Sequence, residues 1–192
     1  MKPETPDPRP LVICVDDDSE VLASVARALR RDGYEIVATT EPSEVLALLA
    51  RRVASVLVSD FEMPQMNGVD LAVAARNVRP ETVRILLTGN NQMSTAVSGI
   101  NVGEVFRFIP KPFDPDHLRR EVALAISKHV ELAAQARDRD VDLMRQRLLA
   151  DLDSEYPGIS SVRRGRDGNY EVDEQARDRL GAGFEAVRTM TD

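Results

Sequence analysis

Short apolar runs alternate with amphipathic stretches from Leu11 onward, and this alternation predicts strands and helices in turn. The runs LVICV, VASVLVS and RILLT are almost wholly apolar, as strands covered on both faces require. Together with YEIVA and VFRFI they make five predicted strands, at 11–15, 34–38, 53–59, 84–88 and 105–109. Apolar residues at helical spacing predict helices at 21–29, 42–49, 69–78 and 93–102, and a fifth from 114.

Strands that alternate with helices over about 120 residues predict an α/β fold with a five-stranded, doubly wound parallel sheet. The connections are too long for simple hairpins, which favours parallel pairing. In such sheets, functional sites form beyond the carboxyl ends of the strands. The residues that follow the predicted strands are therefore the first candidates for chemistry.

Acidic, hydroxyl and amino side chains follow four of the predicted strands. They are Asp16, Asp17 and Asp18 after the first, Asp60 after the third, Thr88 at the end of the fourth and Lys111 after the fifth. Clustered carboxylates repel one another unless a cation neutralises them, and Mg²⁺ suits a site of few carboxylates with water and phosphate oxygens. A lysine and a hydroxyl beside such a site would receive a phosphoryl oxygen. The set indicates phosphoryl transfer onto a carboxylate.

Four strings carry a family resemblance: LVICVDDDSEVL, VLVSDFEMPQMNG, ILLTG and FRFIPKPF. In this order and spacing they resemble the receiver domain of bacterial two-component response regulators, across about residues 10 to 130. The resemblance implies the CheY-like strand order 2-1-3-4-5. It also implies that Asp60 accepts a phosphoryl group from a phosphohistidine on a histidine kinase or phosphotransfer protein.

The same resemblance implies roles for the neighbouring residues. Asp16, Asp17, Asp60 and the backbone carbonyl of Glu62 would hold Mg²⁺, with Asp16 acting largely through water. Lys111 would pair with the Asp60 carboxylate and then with the phosphoryl group.

Three further expectations concern the switch and the phosphate lifetime. Thr88 would move to the phosphoryl oxygen while Phe108 turns inward, and the Lys111–Pro112 bond would be cis. By the same resemblance, Glu62 and Asn90 occupy positions that tune phosphate lifetime in the family, and we expect a moderated rate of hydrolysis. The string FRFIPKPFDPDHL also resembles receivers joined to HD-GYP phosphodiesterase domains, for the receiver part only.

Some single residues also allow other interpretations. The aspartate run resembles the start of haloacid-dehalogenase-like phosphatases, but their pattern needs Thr or Val where this chain has Glu20. Asp18 is expected to cap a helix. Cys14 is expected in the core, and His117 and His129 at a surface or interface.

The last helical pattern continues to about residue 155 without Gly or Pro. A helix of about 40 residues would be roughly 60 Å long, so its apolar stripe needs another surface. The stripe favours a parallel dimeric coiled coil, although Arg137 and Asp140 interrupt it, and a solvated, charged helix is the alternative. Beyond Pro157 and Gly158 the pattern predicts a hairpin turning at 167–168 and a short helix over 176–187. We therefore expect a disordered, Pro-rich tail at 1–10, a receiver at 11–130, a helical, coiled-coil extension of the last receiver helix at 131–156 and a small α+β tail at 157–192.

Charge and composition limit the output. The net charge is −7, and from residue 131 onward ten arginines and no lysine face fourteen acidic residues, which argues against DNA binding. Two histidines are too few for a metal phosphodiesterase. We expect a cytoplasmic signalling protein with a homodimeric, protein-binding output, no membrane segment and no enzymatic tail. A DNA-binding output through Arg163, Arg164 and Arg166, or a tail that processes small molecules, remains the alternative.

Overall fold

A computed structural model describes residues 9–89 and 105–155 and two short strands at 163–164 and 170–171. Several expectations concern residues outside these ranges. They are the tail up to residue 8, the helix around 93–102, the role of Asn90, the turn at 167–168 and the helix over 176–187.

Five strands form one parallel sheet in the order β2-β1-β3-β4-β5, which confirms the predicted fold class. The strands are β1 (Leu11–Val15), β2 (Glu35–Thr39), β3 (Val56–Asp60), β4 (Val83–Thr88) and β5 (Arg107–Pro110). Every residue of β1, β3 and β4 is buried, as their continuous apolar runs predict. All five strands run in the same direction, so their carboxyl ends meet at one edge.

The described residues form four α-helices, each of which follows a strand. They are α1 (Ser19–Leu29), extended by a 3₁₀ turn (Arg30–Asp32), then α2 (Pro42–Arg51), α3 (Gly68–Val78) and α4 (Pro115–Glu155). The Asp18 side chain accepts the Glu20 N–H, which confirms its predicted capping role. Asn67 caps α3 in the same way, and Pro42 opens α2.

The core lies in two layers, one on each face of the sheet. One layer packs α1 and the first turns of α4 against the sheet through residues such as Leu29, Ile85 and Val122. The other packs α2 and α3 through Leu49 and Leu71. The two layers hold the strands, and therefore their carboxyl ends, in a fixed register.

The position of His129 differs from the predicted one. Its ring is buried, and its Nδ1 lies 2.8 Å from the Glu81 carbonyl oxygen, so the prediction of a surface position is wrong. The physical reason is helical spacing: Leu118, Val122 and Ala125 lie on the buried face of α4, and His129 comes one turn after Ala125 on that face.

The chain divides into two compact units, 1–135 and 136–192. The second contains the end of α4 and an antiparallel pair formed by β6 (Arg163–Arg164) and β7 (Tyr170–Glu171), as a hairpin requires. Among the described helices, none combines the length and the apolar character that crossing a bilayer needs. The domain boundaries, the coiled coil and the dimer stay predictions.

Candidate functional site

The carboxyl edge of the sheet brings together side chains that are far apart in sequence. Asp16 follows β1, Asp60 ends β3, Thr88 ends β4 and Lys111 follows β5. The carboxylates of Asp16, Asp17 and Asp60 each place an oxygen within 4.8 Å of the others. Asp16, Asp60 and Thr88 are buried, whereas Asp17 is exposed. Two strands, β1 and β3, thus deliver one acidic cluster, and β4 and β5 place a hydroxyl and an ammonium at the same edge of the sheet.

Lys111 joins two of these carboxylates. Its Nζ lies 2.6 Å from Asp16 Oδ2 and 2.7 Å from Asp60 Oδ1. The sequence predicted the pairing with Asp60 but not the one with Asp16. The ammonium therefore neutralises one of the three carboxylate charges in the cluster, and two negative charges remain.

Burial and pairing act in opposite directions on the pKa values here. Burial raises the pKa of Asp16, and this outweighs the lowering by hydrogen bonds from the Lys111 ammonium and the Asp18 N–H. Burial lowers the pKa of Lys111, but its hydrogen bonds to Asp16 and Asp60 outweigh that effect and raise it overall. Asp16 is thus held in a place that disfavours its charge, while Lys111 stays an ammonium.

Backbone contacts fix the loop that follows Asp60. The Phe61 N–H donates to the Leu87 carbonyl, and the Gly68 N–H donates to the Phe61 carbonyl, each at 2.8 Å. A Cβ at Gly68 would lie 2.1 Å from the Asp60 carbonyl oxygen, so only glycine fits. Sequence reasoning did not predict this close approach, whose only signal in the string VLVSDFEMPQMNG is the glycine itself.

The remaining predicted residues lie around this cluster. Thr88 accepts the Lys111 N–H with its carbonyl at 2.7 Å, and the Lys111–Pro112 peptide bond is cis. Phe108 is half-buried in β5, where it pairs in register with Leu86. Glu62 lies in the loop after β3 with its side chain exposed.

A depression of about 470 Å³ lies beside the cluster, and sequence reasoning did not predict it. It runs from the start of α1 to the segment after β5. Its lining residues are Asp18, Glu20, Val21, Ser24, Lys111, Pro112 and Phe113.

Comparison with known families matches residues 12–123 to the response regulator receiver domain. The chain belongs to the response regulator receiver family. This receiver has the fold and the strand-end cluster described above, and the resemblance seen in its motifs is confirmed.

The relatives and solved structures that are similar to this receiver bear the names of different kinds of protein. It is 33% identical to the DNA-binding transcriptional regulator NtrC of Salmonella typhimurium over 154 residues. That alignment covers 80% of this chain and 32% of NtrC. A crystal structure named as an adenylate cyclase from Rhodopirellula baltica superimposes with a TM-score of 0.62 and 28% identity, over 69% of this chain and 98% of the other. The signal receiver domain of an HD domain-containing protein from Pseudomonas fluorescens Pf-5 superimposes with a TM-score of 0.61 and 29% identity, again over 69% of this chain and 98% of the other.

These names set the scope of the family assignment. The chain spans about a third of the length of NtrC. Because these names differ in kind, the comparisons do not single out HD-GYP receivers, and that narrower resemblance is not needed. The assignment covers the receiver, and receivers act in two-component signalling.

Proposed function

We propose that Asp60 is the phosphoryl acceptor of this receiver. The observation that carries the proposal is the position of its carboxylate, which ends a buried strand inside the acidic cluster with Oδ1 2.7 Å from Lys111 Nζ. In the reaction, a carboxylate oxygen of Asp60 attacks the phosphorus of a phosphohistidine. The P–N bond breaks, its electron pair stays on the imidazole nitrogen, and an acyl phosphate forms on Asp60.

The cluster fits a divalent cation with oxygen ligands. Three carboxylates and one ammonium leave two negative charges, and carboxylate oxygens are the ligands that Mg²⁺ prefers. Asp16, Asp17, Asp60 and the Glu62 carbonyl would hold the ion. When bound, Mg²⁺ would neutralise charge on the incoming phosphoryl group.

Lys111 and Thr88 supply the protein's own contacts to the product. The Lys111 ammonium is already beside Asp60 and would follow the charge onto a phosphoryl oxygen. The Thr88 hydroxyl would donate to another phosphoryl oxygen, and Phe108 would turn inward as Thr88 moves. The two states would be a pre-existing equilibrium that phosphorylation shifts.

The partners and output follow from this chemistry. The donor would be a histidine kinase or phosphotransfer protein. The protein would act in the cytoplasm, in keeping with the free thiol of Cys14. The extension from residue 131 would be a protein-binding, homodimeric output and not an enzyme. A DNA-binding output, as the name of NtrC states for that relative, is the second candidate, and the acidic balance of residues 131–192 argues against it.

Labelling by a small phosphodonor tests the site. We expect acetyl phosphate with Mg²⁺ to label the full chain once, Asp60→Asn to abolish labelling, and EDTA to do the same. Asp17→Asn should slow labelling because a metal ligand is lost, whereas the exposed Asp151→Asn on α4 should label like the parent. Labelling that persists in Asp60→Asn, or that survives EDTA, would contradict the proposal.

A further inference from the structure

An exposed apolar stripe runs along α4 from Val130 into the second half of the helix. Large side chains along it are strongly exposed: Val141 by 65%, Met144 by 75% and Leu148 by 59%. Val130, one end of the same stripe, is 62% exposed. An aliphatic row of this kind is costly to leave in water, at about 25 cal/mol for each Å², and it marks a contact surface.

The spacing of the stripe is regular. Its positions are 130, 133, 137, 141, 144, 148 and 152, which repeat steps of three, four and four residues. This is an 11-residue period of about 3.67 residues per turn, close to that of a straight helix and typical of a gently right-handed coil. Arg137 is the one charged residue among these positions. Leu143 and Leu149 lie off the stripe.

Charged residues beside the stripe indicate that a second copy of this chain covers it. Asp140 directly precedes the stripe residue Val141, and Arg145 directly follows the stripe residue Met144. In a parallel, in-register pair of helices, flanking positions five residues apart face each other across the interface. Asp140 of each copy would then meet Arg145 of the other, twice by symmetry.

An antiparallel pair that aligns the stripe would set Val141 opposite Met144 and Arg137 opposite Leu148 of the second copy. Two layers of that interface would then contain an arginine, whereas the parallel pair confines both copies of Arg137 to one layer and keeps the other stripe positions apolar. The stripe therefore favours the parallel arrangement. Arg137 would face its own copy, extend its guanidinium to solvent and help to set the register.

We propose that residues 130–152 of α4 form a parallel, in-register, two-stranded coil with a second copy of this chain, held by the apolar stripe and by reciprocal Asp140–Arg145 pairs. This inference gives the homodimer of the proposed function its partner surface and its orientation. It does not require phosphorylation, and it can therefore be tested in the absence of phosphoryl transfer.

Sedimentation velocity of the full chain in the Asp60→Asn background, without phosphodonor, is the first test. We expect a mass near twice 21.3 kDa at micromolar concentration. Asp140→Arg alone and Arg145→Asp alone should each weaken the dimer at least tenfold, and the double exchange should restore it. Circular dichroism at 222 nm confirms that each variant stays helical.

The outcomes separate the alternatives. A monomer at 50 μM, or a dimer that Leu148→Asp leaves unchanged, would overturn the proposal. A double exchange that fails to restore the dimer would also overturn it, because in an antiparallel pair Asp140 and Arg145 lie on opposite sides of the stripe and do not meet. Loss of labelling at Asp60 with an intact dimer would count only against the proposed function.

Disulfide trapping gives an independent measure of register. Met144→Cys should cross-link to its own copy under mild oxidation, since in a parallel pair the two positions face each other. Arg139→Cys, on the opposite face of the helix, is the matched control and should not. Cys14 is buried and will not compete. Equal cross-linking at positions 139 and 144 would show unspecific association and contradict the register.

Discussion

Removing the Lys111 ammonium tests the electrostatics of the strand-end cluster. In Lys111→Met, Asp16 and Asp60 keep their places but lose the cation that lies within 2.7 Å of both. Their nearest ligand oxygens are within 4.8 Å, where two unit charges repel by about 3 kcal/mol at an effective dielectric constant of about 20. Loss of one partner from a buried pair costs a similar amount, about 3 to 5 kcal/mol.

We therefore expect Lys111→Met to lower the free energy of unfolding by about 3 kcal/mol at pH 7 without divalent cations. The corresponding fall in Tm is roughly 10 °C. Urea denaturation and calorimetry measure both quantities. Lys128→Met is the matched control: it breaks an exposed pair with Glu131, at 2.9 Å, and should cost less than about 0.5 kcal/mol.

The pH dependence has a defined sign. The pKa of Asp16 is already raised in the folded protein, and loss of Lys111 would raise it further. A group with a raised pKa favours folding while it is protonated and opposes it once it ionises. The loss of unfolding free energy in Lys111→Met should therefore be largest near pH 7 and shrink as the pH falls toward about 4. Millimolar Mg²⁺ should also reduce it. A loss under about 1 kcal/mol at pH 7, or one that neither acid nor Mg²⁺ reduces, would refute the reasoning.

Three further predictions concern single residues. Gly68→Ala should destabilise the chain by about 2 to 4 kcal/mol and slow labelling, because its Cβ would lie 2.1 Å from the Asp60 carbonyl oxygen. Gly89→Ala is the control for both assays, since its Cβ would meet no atom within 4 Å among the residues that the structure describes. Cys14, whose pKa burial raises to about 12, should resist a thiol reagent in the native chain and react in urea, and fast native reaction would contradict its burial. Asp18→Ala should cost about 1 kcal/mol in urea denaturation through loss of the α1 cap, and no change would show that the cap is unimportant.

Much of the fold could be predicted because it depends on local pattern. Apolar runs such as LVICV predict buried strands wherever they occur, and Asp18 before an amphipathic stretch predicts a cap. The strand bounds differ by a few residues: β5 begins at Arg107 and not at 105, and β3 begins at Val56 and not at 53. Such ends depend on which neighbouring backbone groups are in reach, and no local pattern contains that information.

The candidate site could likewise be predicted only in part. The sequence alone determined that acids, a hydroxyl and a lysine follow the strands, since each lies beside its own apolar run. Only the tertiary structure decided that Lys111 bridges Asp16 as well as Asp60, that Gly68 touches the Asp60 backbone and that His129 is buried. The physical reason is that periodicity specifies which face of an element is apolar, whereas contacts across 95 residues, as between Lys111 and Asp16, arise only when packing sets the distance between elements.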